Sequence, residues 1–341
     1  MKNTIAIASA ALIAASSASQ AEIVINDFLS FEGFVDMSYV HADGKFRDTG
    51  DKMSDNNFAV DQVEISWLFD FNPVTAQIDF TYLNGEESGA TTMGYDDYIE
   101  QAFVTYDLGD GGAITAGRFY SMLGFEAFKA PGLYQYSTAY EGAWDSLSFL
   151  PDGGQGVKYT YNTDTAFFGV SVLDSAFGFD QNRLGGSGDS SWAVELAGAI
   201  MPAEGVTFFL GGAYEDLEGA FSKAWVINSY VTFETGAWLF AGELNYGVLD
   251  YSAAGKDKGW SGLLMANMAY SADASVTARY SFTRLDLDGA GKPRFHKGTL
   301  AHNYAFTDNL ALITEYSYIR GNGDTAKYRE HMAAVELLFT F

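Results

Sequence analysis

The feature that most constrains this chain is a repeated alternation of apolar and polar residues. In the stretch 62–71, Val63, Ile65 and Trp67 lie on one face of an extended strand, and Gln62 and Glu64 lie on the other. Alternation of this kind is required when one strand face contacts lipid and the other contacts water. The alternating segments are about 10–13 residues long, enough for a tilted strand to cross the hydrocarbon layer.

The same pattern recurs along the chain and predicts about 16 antiparallel strands, each bounded to within roughly 2–4 residues. The predicted strands are 28–40, 57–71, 75–84, 97–108, 113–121, 155–162, 166–174, 191–201, 206–215, 222–234, 237–249, 260–271, 275–285, 295–306, 310–319 and 330–341. Short turns, such as Asn72-Pro73 and Thr235-Gly236, alternate with longer, polar, Gly-rich loops. This is the pattern of a bacterial outer-membrane barrel whose short turns and termini are periplasmic.

The predicted fold is therefore an all-β transmembrane antiparallel β-barrel, with one domain over residues 22–341. A soluble β-sandwich or propeller is the alternative, but its strands would average about 5–6 residues. The inward faces of nearly all predicted strands also carry ionisable residues, which a dry protein core would not accommodate.

Both ends of the chain are consistent with export. Residues 1–21 predict a signal peptide, with Lys2 before a short apolar stretch and cleavage after Ala21. The apolar stretch is shorter than the ~20 residues that a membrane-anchoring helix needs. The last predicted strand alternates up to Phe341 and resembles the insertion signal of outer-membrane barrels. We therefore expect the protein in the bacterial outer membrane, in contact with its lipid and lipopolysaccharide.

Charge and composition exclude several functions. Without Lys2, 18 basic residues (19 − 1) stand against 44 acidic ones, a net charge of −26, so a nucleic-acid partner is not expected. The chain has no Cys, and its four His lack the spacing of a metal motif. We expect no catalytic residue, no metal site and no cofactor. The acidic loops could hold divalent cations at a lipopolysaccharide surface, but a solubilising role is favoured.

The connection at 121–154 is unusually long and apolar for a solvent-exposed loop. We expect this loop, the third long loop, to fold into the barrel and constrict the pore, rather than cover its mouth or contact a neighbouring subunit. We expect acidic side chains of the loop to face basic side chains of the wall across a narrow water column, where charged side chains set ion selectivity. The candidate loop residues are Glu126, Lys129, Glu141 and Asp145, and the candidate wall residues are Arg118, Lys158, Arg279, Asp36 and Glu64. For each single wall cation, a solvated or salt-bridged lumen residue without a role in selectivity is an equally good interpretation.

Residues 113–182 carry a family resemblance. The run Gly117-Arg118-Phe119-Tyr120-Ser121-Met122-Leu123-Gly124-Phe125-Glu126, a Tyr/Ser tract, and Gly156-Val157-Lys158-Tyr159-Thr160-Tyr161 resemble the OmpL-like β-barrel porin family. An Asn-Gly expected after Asp180-Gln181-Asn182 is absent, and so is the usual third-loop sequence of the enterobacterial general porins. The resemblance implies an outer-membrane channel and makes a homotrimer plausible.

The favoured function is passive diffusion of small hydrophilic solutes and ions, with a preference for cations because acidic residues dominate the inward faces. The predicted inward acids are Glu32, Asp36, Glu64, Asp79, Glu195, Glu243, Glu315 and Glu336. A channel specific for sugars or peptides is the alternative, since Tyr120, Tyr134, Tyr136 and Tyr140 could stack on sugar rings at the constriction. An outer-membrane enzyme is a third and less favoured reading, because the sequence supplies no recognisable Ser–His pair.

Overall fold

The structure is a computed structural model that describes residues 22–83, 99–140, 150–177, 192–217, 221–252, 255–323 and 327–341. Seventeen strands and one 3₁₀-helix, Ala130–Gly132, lie in these residues. The strands are β1 (Ile23–Asn26), β2 (Leu29–Phe46), β3 (Lys52–Asp70), β4 (Val74–Leu83), β5 (Ile99–Gly109), β6 (Gly112–Tyr120), β7 (Gly153–Asn162), β8 (Ala166–Leu173), β9 (Trp192–Ala203), β10 (Val206–Asp216), β11 (Phe221–Thr235), β12 (Trp238–Tyr251), β13 (Lys256–Ala269), β14 (Ala274–Asp286), β15 (Arg294–Thr307), β16 (Leu310–Asn322) and β17 (Lys327–Thr340). No helix in the described part of the chain is long and apolar enough to cross a bilayer.

Strands β2–β17 form a closed antiparallel barrel. Each strand pairs with its neighbours in the chain, and β17 pairs with β2 to close the ring. Sixteen strands therefore complete the barrel, and the predicted fold class is confirmed. The short β1 pairs with the beginning of β2, at Ile23 and Phe31, just beyond the last β17 pair, Thr340 and Phe34. The sequence pattern gave no indication of β1.

Alternation along each strand separates the outer surface from the lumen. In β16, Tyr316 and Tyr318 are exposed on the outer surface, while Glu315 and Ser317 are buried inside. The same alternation holds around the ring, so lipid contacts a continuous apolar surface and the barrel has no free strand edge. The two-residue alternation in the sequence therefore determines which side chains point into the lumen.

Several connections are shorter than the sequence predicted at the loop end of the barrel, the end that carries the long loops. β2 continues to Phe46 and β3 begins at Lys52, so that only residues 47–51 connect them, instead of the predicted 41–56. The additional paired residues no longer alternate with an apolar outer face, since outward positions such as Asp43 and Lys45 are polar. The alternation of apolar and polar residues ends where the strands leave the membrane. Backbone pairing between β2 and β3 continues beyond that point, so alternation in the sequence cannot predict where these strands end.

The interior of the barrel has two unlike halves. On β5–β13, buried apolar side chains form one cluster that includes Phe103, Phe209 and Tyr230. On β2–β4 and β14–β17, most buried inward residues are polar or charged, such as Asp79 and Arg279. The wall is therefore not uniformly polar, and the apolar half is available to hold an apolar loop.

Candidate pore constriction

The third long loop enters and leaves the wall through two glycines with positive φ. Gly117, in β6, has φ +134° and Gly153, at the start of β7, has φ +146°. At Gly153 a Cβ atom would lie 2.8 Å from Cα of Tyr120, closer than real contacts allow. Glycine thus permits the close approach of β6 and β7 from which the loop departs.

The beginning of the loop is fixed to the apolar half of the barrel. The backbone N–H of Met122 donates to Glu195 on β9 at 3.1 Å, and that of Phe125 donates to Glu243 on β12 at 2.8 Å. Buried carboxylates that accept backbone hydrogen bonds are strong anchors because the bonds are charge-assisted. The loop segment at 121–125 therefore lies inside the barrel against the wall.

Apolar packing reinforces these anchors. Met122, Leu123 and Phe125 are almost fully buried and join the cluster around Tyr230, whose ring stacks on Phe209 at a centroid distance of 4.4 Å. Burial of three such side chains contributes roughly 5–8 kcal/mol as an upper estimate. This contribution explains why so apolar a loop does not extend into solvent.

The loop then crosses the lumen to β3 and β4. Lys129 forms an ion pair with Glu64 and a second, of 2.8 Å, with Asp79. Burial disfavours the charged ammonium, but the two carboxylates outweigh it and raise the pKa of Lys129 above its ordinary value. The loop thus places a cation against an acidic part of the wall, the reverse of the polarity that we expected there.

On β14 the polarity is the expected one. Arg279 forms an ion pair with Glu126 of the loop, and its guanidinium also donates to the Thr138 carbonyl at 2.9 Å. Glu126 accepts two further hydrogen bonds within the loop, from the Gln135 side chain at 2.9 Å and the Ala139 N–H at 2.7 Å. The carboxylate of Glu126 therefore organises the loop and also attaches it to the wall.

A further wall carboxylate, Glu315, and the already mentioned Glu243 hold the returning part of the loop. Ser137 donates its N–H to Glu315 on β16 at 3.0 Å, and the Tyr140 hydroxyl donates to Glu243 on β12 at 2.7 Å. Burial raises the pKa of the Tyr140 hydroxyl well above its ordinary value, with Glu243 as the next cause. Residues 121–140 consequently contact opposite walls of the barrel and cross its lumen.

The structure places the predicted wall residues as follows. Asp36, Glu64, Lys158 and Arg279 are all buried on the inward face. The Lys158 ammonium lies 4.3 Å from the ring centroid of Phe119. Arg279 and Glu64 contact the loop directly, and Glu126 and Lys129 are their partners. The predicted Glu141 and Asp145 lie outside the described residues.

The inward placement of Arg118 was wrong. An inward Arg118 requires Thr115 and Phe119, which alternate with it, to face lipid, but both are buried, and Thr115 pairs with the inward Lys158. Arg118 pairs with Ala102 and shares the outward face with Ala116. The apolar Phe119 misled the assignment, because in this half of the barrel large apolar side chains also face inward.

Other functional residues were missed or misjudged. Glu195, Glu243 and Glu315 were recognised as inward acids, but their contacts with the loop depend on a fold that a strand pattern cannot supply. Asp61 was not expected inside. It is the extra residue of a bulge, because Asp36 pairs with Gln62 and Met37 with Val60. The bulge inserts Asp61 without a partner on β2, so that Asp61 points inward, and no signal in the sequence predicts it.

The match to a family model decides the classification. The model described as "Putative beta-barrel porin-2, OmpL-like" matches residues 29–341. The chain belongs to this family. The resemblance noted in the sequence is thereby confirmed, and family and fold together support a location in the bacterial outer membrane.

Solved outer-membrane proteins share the fold of this OmpL-like protein at low sequence identity. The anion-selective porin from Comamonas acidovorans superposes with a TM-score of 0.67 at 16% identity, over 92% of this chain and 99% of that one. OmpT of Vibrio cholerae gives 0.65 at 12% identity, over 94% and 100%. The outer membrane channel DcaP of Acinetobacter baumannii gives 0.63 at 14% identity, over 92% and 97%. A trimer form of OmpT has also been solved. A comparison with curated proteins found no significant match.

Proposed function

We propose that this OmpL-like protein is a passive diffusion porin for small hydrophilic solutes and ions. The observation that carries the proposal is the loop at 121–140, which is anchored to opposite walls of a closed barrel wide enough for a channel. A 16-stranded barrel encloses more space than its own side chains fill. The loop at 121–154 then forms the narrowest part of the pore.

We further propose a preference for cations. The charged residues on the described inward wall are mostly acidic, and rings of like-charged side chains select the opposite ion. The inward carboxylates are Glu32, Asp36, Asp61, Glu64, Asp79, Glu195, Glu215, Glu243, Glu315 and Glu336, and the inward cations are Lys158, Arg279 and Lys297. The opposite charges of Glu126 and Lys129 in the loop cancel, so the net negative charge of the wall remains.

The selectivity roles follow from position. Asp36 and Glu64 contribute to the acidic part of the wall, while Arg279 and Lys158 lie on the inward face of β14 and β7. Glu141 and Asp145 stay candidates on the strength of the sequence. Arg118 is excluded from the pore lining because its strand position faces outward.

A substrate-specific channel is the second candidate. Its support is an aromatic platform at the loop, where Tyr120 stacks on Phe128 at 4.7 Å and the Lys129 ammonium lies 5.5 Å from the Tyr120 ring. Aromatic surfaces of this kind can stack on sugar rings. We propose no enzymatic activity. Hydrolysis by the purified protein that is lost on mutation of a single Ser or His would overturn that view.

Assembly and partners belong to the same proposal. Contact with outer-membrane lipid follows from the exposed apolar surface, and small solutes and ions are the transported partners. A homotrimer is proposed from the resemblance to porins, of which OmpT has a solved trimer form.

The test is planar-bilayer conductance of the refolded protein and of a variant lacking residues 124–150. An ohmic conductance that increases on deletion supports a pore narrowed by the loop, and a reversal potential of cationic sign in a KCl gradient supports the preference. Absence of conductance from both proteins would refute the porin proposal. Saturable block by one class of sugar or peptide would favour the specific channel instead.

A further inference from the structure

A row of basic residues, four of them Lys or Arg, lies on the outer surface of five adjacent strands, at the end of the barrel that carries the long loops. The strand register places each member directly opposite the next. From β15 through β16, β17 and β2 to β3, the members are His296, Arg320, Arg329, Lys45 and Lys52. We call this set the cation row. All five share the outward face, since Arg320 follows the exposed Tyr316 and Tyr318 along β16.

The height of Arg320 and Arg329 in the cation row matches the boundary of the membrane. Arg320 lies ten residues from Leu310 at the turn end of β16, and Arg329 lies ten residues from Phe339. Ten strand residues at a tilt of 35–45° rise about 24–28 Å, close to the ~25 Å apolar band of such barrels. Arg320 and Arg329 are therefore level with the lipid headgroups of the outer leaflet. Lys45, 16 residues from Leu29, and Lys52, 18 residues from Asp70, lie further out on longer strands.

An aromatic belt directly below the row supports this height. Tyr280, Tyr316 and Tyr318 are exposed on the membrane side. The Tyr280 hydroxyl lies 2.6 Å from Nδ1 of His296, and the Tyr316 hydroxyl lies 2.6 Å from Nδ1 of His331. Tyrosines that combine an apolar ring with a polar tip mark the interface between hydrocarbon and headgroups.

Like charges directly opposite one another destabilise a sheet. None of the five members forms an ion pair with an acidic side chain in the part of the chain that the structure describes. Asp43, the next outward residue below Lys45, is not within ion-pair distance of it. The row therefore concentrates positive charge on a strongly acidic protein, and no acidic side chain among the described residues compensates it.

Basic residues at the same end of β11 and β13 are compensated. Lys223 and Lys256 both lie near Asp250, at 3.5 and 3.6 Å, and Lys258 lies 3.6 Å from Asp286. The contrast shows that this end of the barrel does not simply carry cations everywhere. An external anion is the missing partner of the cation row.

We propose that the cation row binds the phosphate groups of lipopolysaccharide in the outer leaflet. Long Lys and Arg side chains can extend along the barrel surface to the headgroup layer, and Arg binds phosphate through a bidentate fork. The row thus forms a lipid-binding surface on one arc of the barrel, β15–β17 with β2 and β3. The inference rests on the outer-membrane location, but not on conduction of ions.

The test compares two triple variants of the full protein refolded in detergent micelles. The first, Lys45→Gln/Arg320→Gln/Arg329→Gln, removes three members of the row. The second, Lys223→Gln/Lys256→Gln/Lys258→Gln, removes the same charge from compensated positions. Binding of bisphosphorylated lipid A is measured in magnesium-free buffer, beside lipid A of the same acyl chains without phosphates.

We expect about a hundredfold weaker binding for the first variant, since each cation near an anionic surface contributes roughly a factor of five. The second variant should bind within about threefold of the wild-type protein, and dephosphorylated lipid A should bind the wild type weakly. Equal loss in both variants, no loss in the first, or equal binding of the two lipids would overturn the proposal. Conductance of both variants in phospholipid bilayers is a separate readout, because a protein that does not conduct can still bind lipid A.

Discussion

Arg279 is the strongest single attachment of the loop to β14, and its replacement by Met should loosen the loop measurably. The guanidinium is fully buried, at 0% exposure, and it contacts Glu126, Ser137 and the Thr138 carbonyl. Removal of one partner of a buried ion pair costs about 3–5 kcal/mol. Glu126 is 12% exposed and still accepts two hydrogen bonds within the loop when Arg279 is replaced. We therefore expect a free-energy cost at the lower end of this range, about 3 kcal/mol.

Trypsin can report this loosening. Lys129 is the only Lys or Arg between Arg118 and Lys158, so trypsin can cut the loop at one site. Cleavage of a folded segment follows the population of its open form. A change of about 3 kcal/mol therefore predicts roughly a hundredfold faster appearance of the fragment that ends at Lys129.

The matched control is Arg279→Lys, which keeps the charge and loses the fork of donors. It should accelerate cleavage far less than Arg279→Met does. Circular dichroism of both variants must show the β-sheet signal of the wild type, because the barrel ladder does not depend on this side chain. Cleavage of Arg279→Met within about threefold of the wild-type rate would refute the assignment of Arg279 as a loop anchor.

Three further predictions concern the pore and its surface. Lys129→Met should shift the reversal potential in a KCl gradient toward cations, and Glu64→Gln in the same protein should reverse that shift; a shift toward anions in the single variant would contradict the charge argument. The raised pKa of Lys129 means that its contribution is complete below its ordinary pKa of about 10.4 and is lost only as pH rises through the higher folded value. Loop attachment through Lys129, read from single-channel conductance, should hence be constant from pH 6 to 9, and a transition inside that window would exclude the ion pair with Asp79 as its basis. Leu300→Arg, on the membrane-facing surface where Leu300 is 63% exposed, should lower the unfolding free energy in lipid vesicles by about 2–4 kcal/mol, and an unchanged value would mean that this face does not contact lipid.

The apolar half of the lumen shows where sequence reasoning reaches its limit. Phe119 and Phe209 occupy inward positions, although large apolar side chains in a membrane strand usually indicate the lipid face. Large apolar side chains pack against lipid on the outer face and against the loop on the inner face. The two-residue periodicity of a strand cannot tell which of the two faces such a side chain occupies. For this reason the strand β6 was assigned the wrong facing, and Arg118 with it.

The bulge at Asp61 and the long ends of β2 and β3 are failures of another kind. A bulge changes the facing of the strand by one residue, and only the pairing with Asp36 and Met37 on β2 reveals it. The ends of β2 and β3 continue the ladder after membrane alternation has stopped. In both cases the neighbouring strand decides the structure, and the local sequence does not contain that information.

The sequence alone determined the barrel, its sixteen strands, their approximate bounds and most of the inward acids, since a lipid-facing strand must alternate with a period of two. It also singled out the loop and four of its charged residues, because so long and apolar a connection needs a partner. Only the tertiary structure decided which residues of the barrel wall contact the loop. Glu195, Glu243, Glu315 and Arg279 lie between 73 and 178 positions along the chain from the loop residues that they hold. Closure of the ring brings such distant positions together, and a pattern that repeats every two residues carries no information about contacts across a lumen.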